Sequence, residues 1–143
     1  MTVMVKRVYE PAERKDGTRV LVDRLWPRGL TKQNAAIEAW LRDLAPSNQL
    51  RKWFHAQPER WEEFRKKYLK ELSAPKAQAA LNKLYDVESQ GNLTLLYASK
   101  NEEHNNATVL RDLLEGARKP PRGTGPSAAG AVRARRALRA PRR

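Results

Sequence analysis

The side chains best suited to chemistry follow two short apolar runs, at residues 20–22 and 93–98. Arginine and lysine in such positions bind anions through charge-assisted hydrogen bonds, and aromatic rings supply a surface for stacking. The sequence therefore predicts a binding site for a small anionic ligand. The predicted ligand-binding residues are Arg24, Trp26, Arg28, Tyr97, Lys100 and Asn105.

His55 and His104 are the two side chains whose ordinary pKa lies near neutrality, so both are predicted catalytic residues if the protein is an enzyme. A structural role is equally open, in which His104 or Asn101 caps a helix and His55 lies on the surface. The chain has no cysteine, and its histidines are far apart in sequence. It also lacks the phosphate loops GxxxxGK[ST] and GxGxxG. No metal site and no cofactor are predicted.

Strands and helices are predicted to alternate, which indicates an α/β fold in one compact domain. The predicted sheet is small and mostly parallel, with three or four strands flanked by helices. Its strands include residues 3–9, 19–25 and 93–98, which are rich in branched apolar side chains. If the second and last of these are parallel neighbours, their ends share the sheet edge at which α/β proteins bind ligands. The alternative is a packed corner in which Asp23 pairs with Arg24 and Trp26 fills the core.

Between those strands the apolar residues recur mainly at helical spacing. Residues 37–44 are ambiguous, because a helical stripe is slightly favoured but residues 40–45 also alternate like a short strand. The predicted helices are a turn capped by Thr31, a helix at residues 48–54 capped by Ser47, helices at residues 58–72 and 75–90, and one that follows Asn101 and ends near residue 117.

Most of the formal net charge of +13 belongs to the end of the chain. Residues 118–143 hold nine of the 29 Lys and Arg and no Asp or Glu, which leaves a net charge of +4 on residues 1–117. The Pro-, Gly-, Ala- and Arg-rich composition predicts a disordered tail after a domain at residues 1–117. Such a tail binds polyanions weakly and non-specifically, or is dispensable. The alternative function is therefore a nucleic-acid-associated or regulatory binding protein.

The apolar runs, of about five residues, are too short to span a membrane, and the start of the sequence lacks the apolar region of a signal peptide. A cytoplasmic location without membrane contact is expected. The sequence does not predict the oligomeric state.

Three segments resemble the YeaO-like family of small bacterial proteins, also known as domain of unknown function 488. They are DRLWPRGL at residues 23–30, LAPSNQLRKWFHAQPERWEEFRKKY at residues 44–68 and LLYASKNEEHNNA at residues 95–107. The resemblance covers about residues 5–115 and implies a compact cytoplasmic α/β domain with a short strand at residues 40–45. It implies no activity, because the family is uncharacterised. The residues it marks as characteristic are Arg24, Trp26, Pro27, Arg28, Pro46, His55, Tyr97, Lys100, His104 and Asn105.

The sequence departs from the family pattern at two places. Ala56 stands where members usually carry a second polar residue after the position of His55, which weakens any role for a polar pair there. The arginine-rich tail after Lys119 lies outside the family pattern.

Overall fold

The computed structural model of the protein describes residues 3–118. The chain divides into one compact unit that ends at Arg111 and a second that begins at Asp112. The candidate site lies entirely in the first unit. The predicted tail falls almost wholly outside the described residues, so its disorder and the domain boundary after residue 117 stay predictions.

Four strands form one parallel sheet in the order β1–β4–β2–β3. The strands are β1 (Val3–Arg7), β2 (Thr18–Leu21), β3 (Ala39–Trp40) and β4 (Leu93–Tyr97). Every residue of β4 is buried, as expected for a strand covered on both faces. β2 and β4 pair in parallel with Val20 opposite Leu95, so both strands end at the same edge of the sheet. The predicted α/β fold is confirmed.

Within the described residues, five α-helices accompany the sheet: α1 (Lys32–Ala35), α2 (Asn48–Ala56), α3 (Trp61–Glu71), α4 (Pro75–Gln90) and α5 (Asn106–Arg118). The two predicted caps are confirmed, because Thr31 Oγ1 accepts a hydrogen bond from the Asn34 amide and Ser47 Oγ from the Leu50 amide. α3 begins three residues later than predicted. Within residues 3–118, none of these helices combines the length and apolar character that crossing a bilayer requires.

The prediction that residues 37–44 form a helix is wrong. Ala36 takes a left-handed conformation, with φ of 51°, and ends α1. Ala39 and Trp40 then pair with Val20 and Leu21 as the edge strand β3, followed by a short 3-10 turn at Arg42–Leu44. Pairing with β2 satisfies backbone groups that a helix would have satisfied internally, and it places Trp40 at the carboxyl-end edge of the sheet.

One face of the sheet carries a small core made by Val8, Leu21, Ala35, Ile37 and Leu96. Trp26, Leu30, Trp40 and Ala98 pack against it while staying partly exposed. The rings of Trp26 and Trp40 meet edge to face, with centroids 5.2 Å apart. The segment after β2 therefore folds back over the sheet, and its Trp26 ring packs against Trp40.

A buried charge network lies where β2 begins and links β2 to β1. The Asp16 carboxylate, which has no exposed surface, accepts hydrogen bonds from Arg19 Nη1 at 2.7 Å and from Lys6 Nζ at 3.1 Å. Burial alone would raise the pKa of Asp16, but hydrogen bonds from the Glu13 amide, Lys6 and Arg19 outweigh it and lower that pKa. This network connects Lys6 of β1 to the start of β2.

Candidate anion-binding site

Asp23 follows the end of β2 and joins three parts of the chain. Its Oδ2 accepts a hydrogen bond from the Ala98 amide at 2.8 Å, and its Oδ1 accepts one from Asn106 Nδ2 at 3.0 Å. Burial raises the pKa of Asp23, and the hydrogen bonds from Asn106 and Ala98 together with the charge of Arg51 offset only part of that effect. Asp23 therefore holds the ends of β2 and β4 and the start of α5 in one arrangement.

The Arg24 side chain is held by backbone carbonyls. Its Nε donates to Pro46 O at 3.3 Å and its Nη2 to Ala45 O at 3.4 Å. The ion pair between Asp23 and Arg24, which belonged to the alternative of a packed corner, does not form. Since neutral carbonyls fix the guanidinium without cancelling its charge, Arg24 presents a positioned cation at the strand ends.

Arg24 lines a cleft of about 410 Å³ between the end of β3 and α4. We call this space the basic cleft. Four of its lining residues are cationic and one is anionic, and the rest are apolar or aromatic. The lining residues are Arg24, Trp40, Leu41, Arg42, Asp43, Lys76, Ala79, Ala80 and Lys83.

Trp40 is the aromatic wall of the basic cleft. Its Nε1 donates to the carbonyl of Asp23 at 2.7 Å, and the Arg42 guanidinium lies 4.9 Å from its ring centroid. The indole is thus fixed at the ring edge by the hydrogen bond and by Trp26, while Arg42 keeps a cation over it.

Five of the six predicted binding residues do not line the basic cleft. Trp26 lies behind Trp40 and donates from Nε1 to Leu30 O at 2.7 Å, so it supports the wall. Arg28 and Lys100 are exposed, and neither side-chain cation has a hydrogen-bond or ion-pair partner among residues 3–118. The structure brings Arg24 to the cleft but leaves Arg28 and Lys100 on the surface.

Tyr97 and Asn105 are both buried and serve the start of α5. Asn105 Oδ1 accepts from the Thr108 amide at 3.0 Å, which makes Asn105 the cap of α5, a role predicted for Asn101 or His104. Burial raises the pKa of Tyr97, with the charges of Glu102 and Glu10 acting in the same direction. The Thr108 amide in the first turn of α5 therefore already has a hydrogen-bond partner.

The two histidines have different surroundings. The His104 imidazole stacks on the ring of Trp61 in α3, with centroids 4.4 Å apart and planes 10° apart, and its amide donates to Asn101 Oδ1. His55 is exposed on α2. Neither histidine lines the basic cleft. Residues 3–118 also contain no group of three or more His, Asp or Glu side chains placed to hold a metal ion.

Sequence reasoning missed four lining residues: Trp40, Arg42, Lys76 and Lys83. Trp40 falls in the segment whose pattern is ambiguous between helix and strand. The two lysines look like a solvated helix face, and the signal that distinguishes them is the pair of alanines at helical spacing between them. The two alanines indicate a cleft-lining surface only once the end of β3 is known to lie opposite α4.

Comparisons with known proteins match almost the whole described chain. The family described as the inactive DUF488-N3 subclade matches residues 2–130. YeaO, an uncharacterised protein of Escherichia coli, is 45% identical over 114 residues, which are 80% of this chain and 97% of YeaO. Uncharacterised proteins of Mycobacterium tuberculosis and Mycobacterium bovis are each 43% identical over 114 residues, 80% of this chain and 94% of theirs.

No solved structure matches the chain. The family match extends to residue 130, so the expectation that the tail after Lys119 lies outside the family pattern is wrong for residues 120–130. The identity of 45% to YeaO and the match over residues 2–130 agree with the three segments that resembled this family. The chain therefore belongs to the YeaO-like DUF488 family, in the subclade described as inactive DUF488-N3.

Proposed function

We propose that this protein binds a small anionic ligand in the basic cleft and does not transform it. The observation that carries the proposal is a space of about 410 Å³ lined by four cationic side chains and one carboxylate. Pockets for small molecules measure about 300–1,000 Å³ and combine apolar walls with a few placed polar groups. The basic cleft has that size, and it combines apolar side chains with a larger share of charged ones, five of its nine lining residues.

Its position supports the same proposal. Trp40 ends β3, and Leu41, Arg42 and Asp43 follow directly, so the basic cleft lies beyond the carboxyl end of a parallel strand. Ligands of open α/β sheets bind at such strand ends. Arg24 is already oriented by two carbonyls, so less side-chain freedom is lost when it binds an anion.

Two observations favour binding over catalysis. The predicted acid–base residues, His55 and His104, do not line the basic cleft. The family description calls the subclade inactive, which supports a protein that has kept a binding site without chemistry. The proposal therefore assigns no catalytic residue.

Isothermal titration of the full chain with phosphate, citrate and pyrophosphate tests this function. The expected result is saturable binding that Arg42→Gln weakens, because Arg42 lines the cleft over Trp40. Arg14→Gln is the matched control, since Arg14 is exposed outside the cleft and its side chain has no partner in the described part of the chain. Absence of binding, or equal weakening by both variants, overturns the proposal.

A second function is nucleic-acid association through the basic end of the sequence. Residues 118–143 carry nine Lys and Arg and no acidic residue. A counterion-release binder loses affinity steeply with salt, whereas a pocket binder keeps its ligand at moderate ionic strength. Titrating a DNA duplex and citrate in parallel at rising salt separates the two functions. Steep loss for DNA, with no citrate binding at any salt, would favour the second function.

A further inference from the structure

One side of α4 forms the floor of the basic cleft. Its members stand at positions i, i+3, i+4 and i+7, which lie on a single face of a helix. They are Lys76, Ala79, Ala80 and Lys83. The floor therefore has a cation at each end and two methyl groups between them.

The spacing of the two lysines follows from helix geometry. Seven residues at a rise of about 1.5 Å each place Lys76 and Lys83 about 10 Å apart along α4. Each ammonium lies at the end of a flexible four-carbon stem, so its position adjusts to the ligand. Ala79 and Ala80 offer no hydrogen-bonding side chain, so the middle of the floor cannot compensate a charged group.

The opposite wall repeats this pattern. Trp40 and Leu41 are half-buried there, and the indole N–H of Trp40 is already used by the Asp23 carbonyl. Apart from the Arg42 guanidinium over the indole, the wall thus presents ring and aliphatic surface. A ligand that fits both sides has an apolar middle.

From this juxtaposition of end cations and apolar middle, we infer that the ligand of the basic cleft is an elongated dianion. It is acidic at both ends, apolar between them, and lies along α4 with its ends at Lys76 and Lys83. The inference rests on the proposed function and narrows the anionic ligand to one chemical class. Arg24 and Arg42 add attraction from the strand side and outnumber the carboxylate of Asp43.

Isothermal titration with α,ω-dicarboxylates of increasing length tests the inference on the full chain. The buffer is a chloride buffer of low ionic strength, because salt screens exposed charges. Monocarboxylates of equal length and inorganic phosphate are the comparison probes. Affinity is expected to rise with length, to peak where the carboxylates are about 10 Å apart, and to exceed that of the matching monocarboxylate.

Substitutions at both ends of the floor sharpen the test. Lys76→Gln and Lys83→Gln are each expected to weaken the best dicarboxylate about two- to fivefold, towards the affinity of the monocarboxylate. Ala79→Glu, at an exposed position, places a carboxylate in the apolar middle and is expected to abolish binding. Lys52→Gln on α2 removes an exposed lysine outside the cleft and should change nothing.

The possible outcomes separate the two proposals. Phosphate or the shortest dicarboxylate binding as tightly as the longer ones overturns the elongated dianion and leaves anion binding intact. Equal effects of Lys52→Gln and Lys76→Gln overturn it as well, since the affinity then reflects total charge. If no probe binds, both this inference and the proposed function fail.

Discussion

Asp23 and Asn106 are separated by 83 positions in the sequence and joined by a 3.0 Å hydrogen bond between Oδ1 and Nδ2. The same Asn106 amide donates to the carbonyl of Val22 at 2.9 Å, so one side chain satisfies two acceptors at the end of β2. With the Ala98 amide on the other carboxylate oxygen, this joint sets where β2, β4 and α5 meet. The carbonyl of the same Asp23 then fixes the indole of Trp40 in the basic cleft.

Asp23→Ala is expected to destabilise the protein by about 2–4 kcal/mol. The substitution leaves the Ala98 amide and one Asn106 donor without an acceptor, and each such loss costs about 1–3 kcal/mol. Urea denaturation followed by circular dichroism measures the difference. Asp43→Ala, at an exposed position, should stay within about 0.5 kcal/mol of the parent. Equal effects of the two substitutions would contradict a structural joint at Asp23.

The pH dependence of Asp23 has a definite sign. Burial raises its pKa above the ordinary value of 3.8, so folding favours the protonated form. Its stabilising contribution is therefore complete below pH 3.8 and is lost as the pH rises through the folded-state pKa. The free energy of unfolding of the parent minus that of Asp23→Asn should shrink from acid to neutral pH. A difference that grows with pH, from urea titrations of both proteins, would show that the Asp23 pKa is lowered instead.

The Asp16 network gives the opposite pH behaviour. Hydrogen bonds from the Glu13 amide, Lys6 and Arg19 overcome burial and lower the pKa of Asp16 below 3.8, so its contribution is present above that pH and is lost as the pH falls. Asp16→Asn should cost about 3–5 kcal/mol at neutral pH, because it leaves the buried Arg19 without its carboxylate. Glu13→Gln, on the exposed side of the network, should cost less than about 1 kcal/mol. Urea unfolding of both variants at pH 7 checks the contrast, and similar losses would refute it.

The sequence was sufficient for most of the fold. The apolar runs around Val20 and Leu95 identify two buried strands, and their parallel pairing follows from the helices between them. Thr31 and Ser47 indicate helix starts by residue type and position alone. These features depend on local chemistry, which a single sequence contains.

The candidate site was only partly predictable, because it depends on a contact between distant segments. β3 has two residues, too few for periodicity to reveal, so Trp40 could not be placed at a strand end. Lys76 and Lys83 have the same pattern as any solvated helix face until that strand is set opposite them. Arg24 is predicted because it follows a short apolar run, whereas Arg28 and Lys100 also follow such runs and lie on the surface.

Two glycines with positive φ differ in what a substitution to alanine would cause. At Gly17 it would add a steric clash to backbone strain, whereas at Gly29 it would cause backbone strain alone. Gly17 has φ of 65°, and a Cβ there would lie 2.1 Å from the Asn92 carbonyl oxygen. Gly29 has φ of 83°, and a Cβ added to it would meet no atom within 4 Å. Gly29→Ala should cost about 1 kcal/mol from strain alone, whereas Gly17→Ala should cost clearly more, because the Thr18–Asn92 hydrogen bond must shift. Thermal unfolding of both variants tests this prediction. An equal loss of stability would show that the backbone at the start of β2 shifts to accommodate the added Cβ at no cost in free energy.

The two histidines form a matched pair for a final prediction. His104 stacks on Trp61 at 4.4 Å, whereas His55 is exposed and has no ring contact among the described residues. His104→Ala should lower the free energy of unfolding by about 1 kcal/mol, in the range of aromatic pairs, and should make Trp61 more accessible to acrylamide quenching. His55→Ala should change neither quantity. Because neither side chain lines the basic cleft, both variants should bind citrate as the parent does. Loss of citrate binding in His104→Ala, with the fold intact by circular dichroism, would contradict this prediction. It would show that His104 belongs to the anion-binding site and that the anion does not bind in the basic cleft.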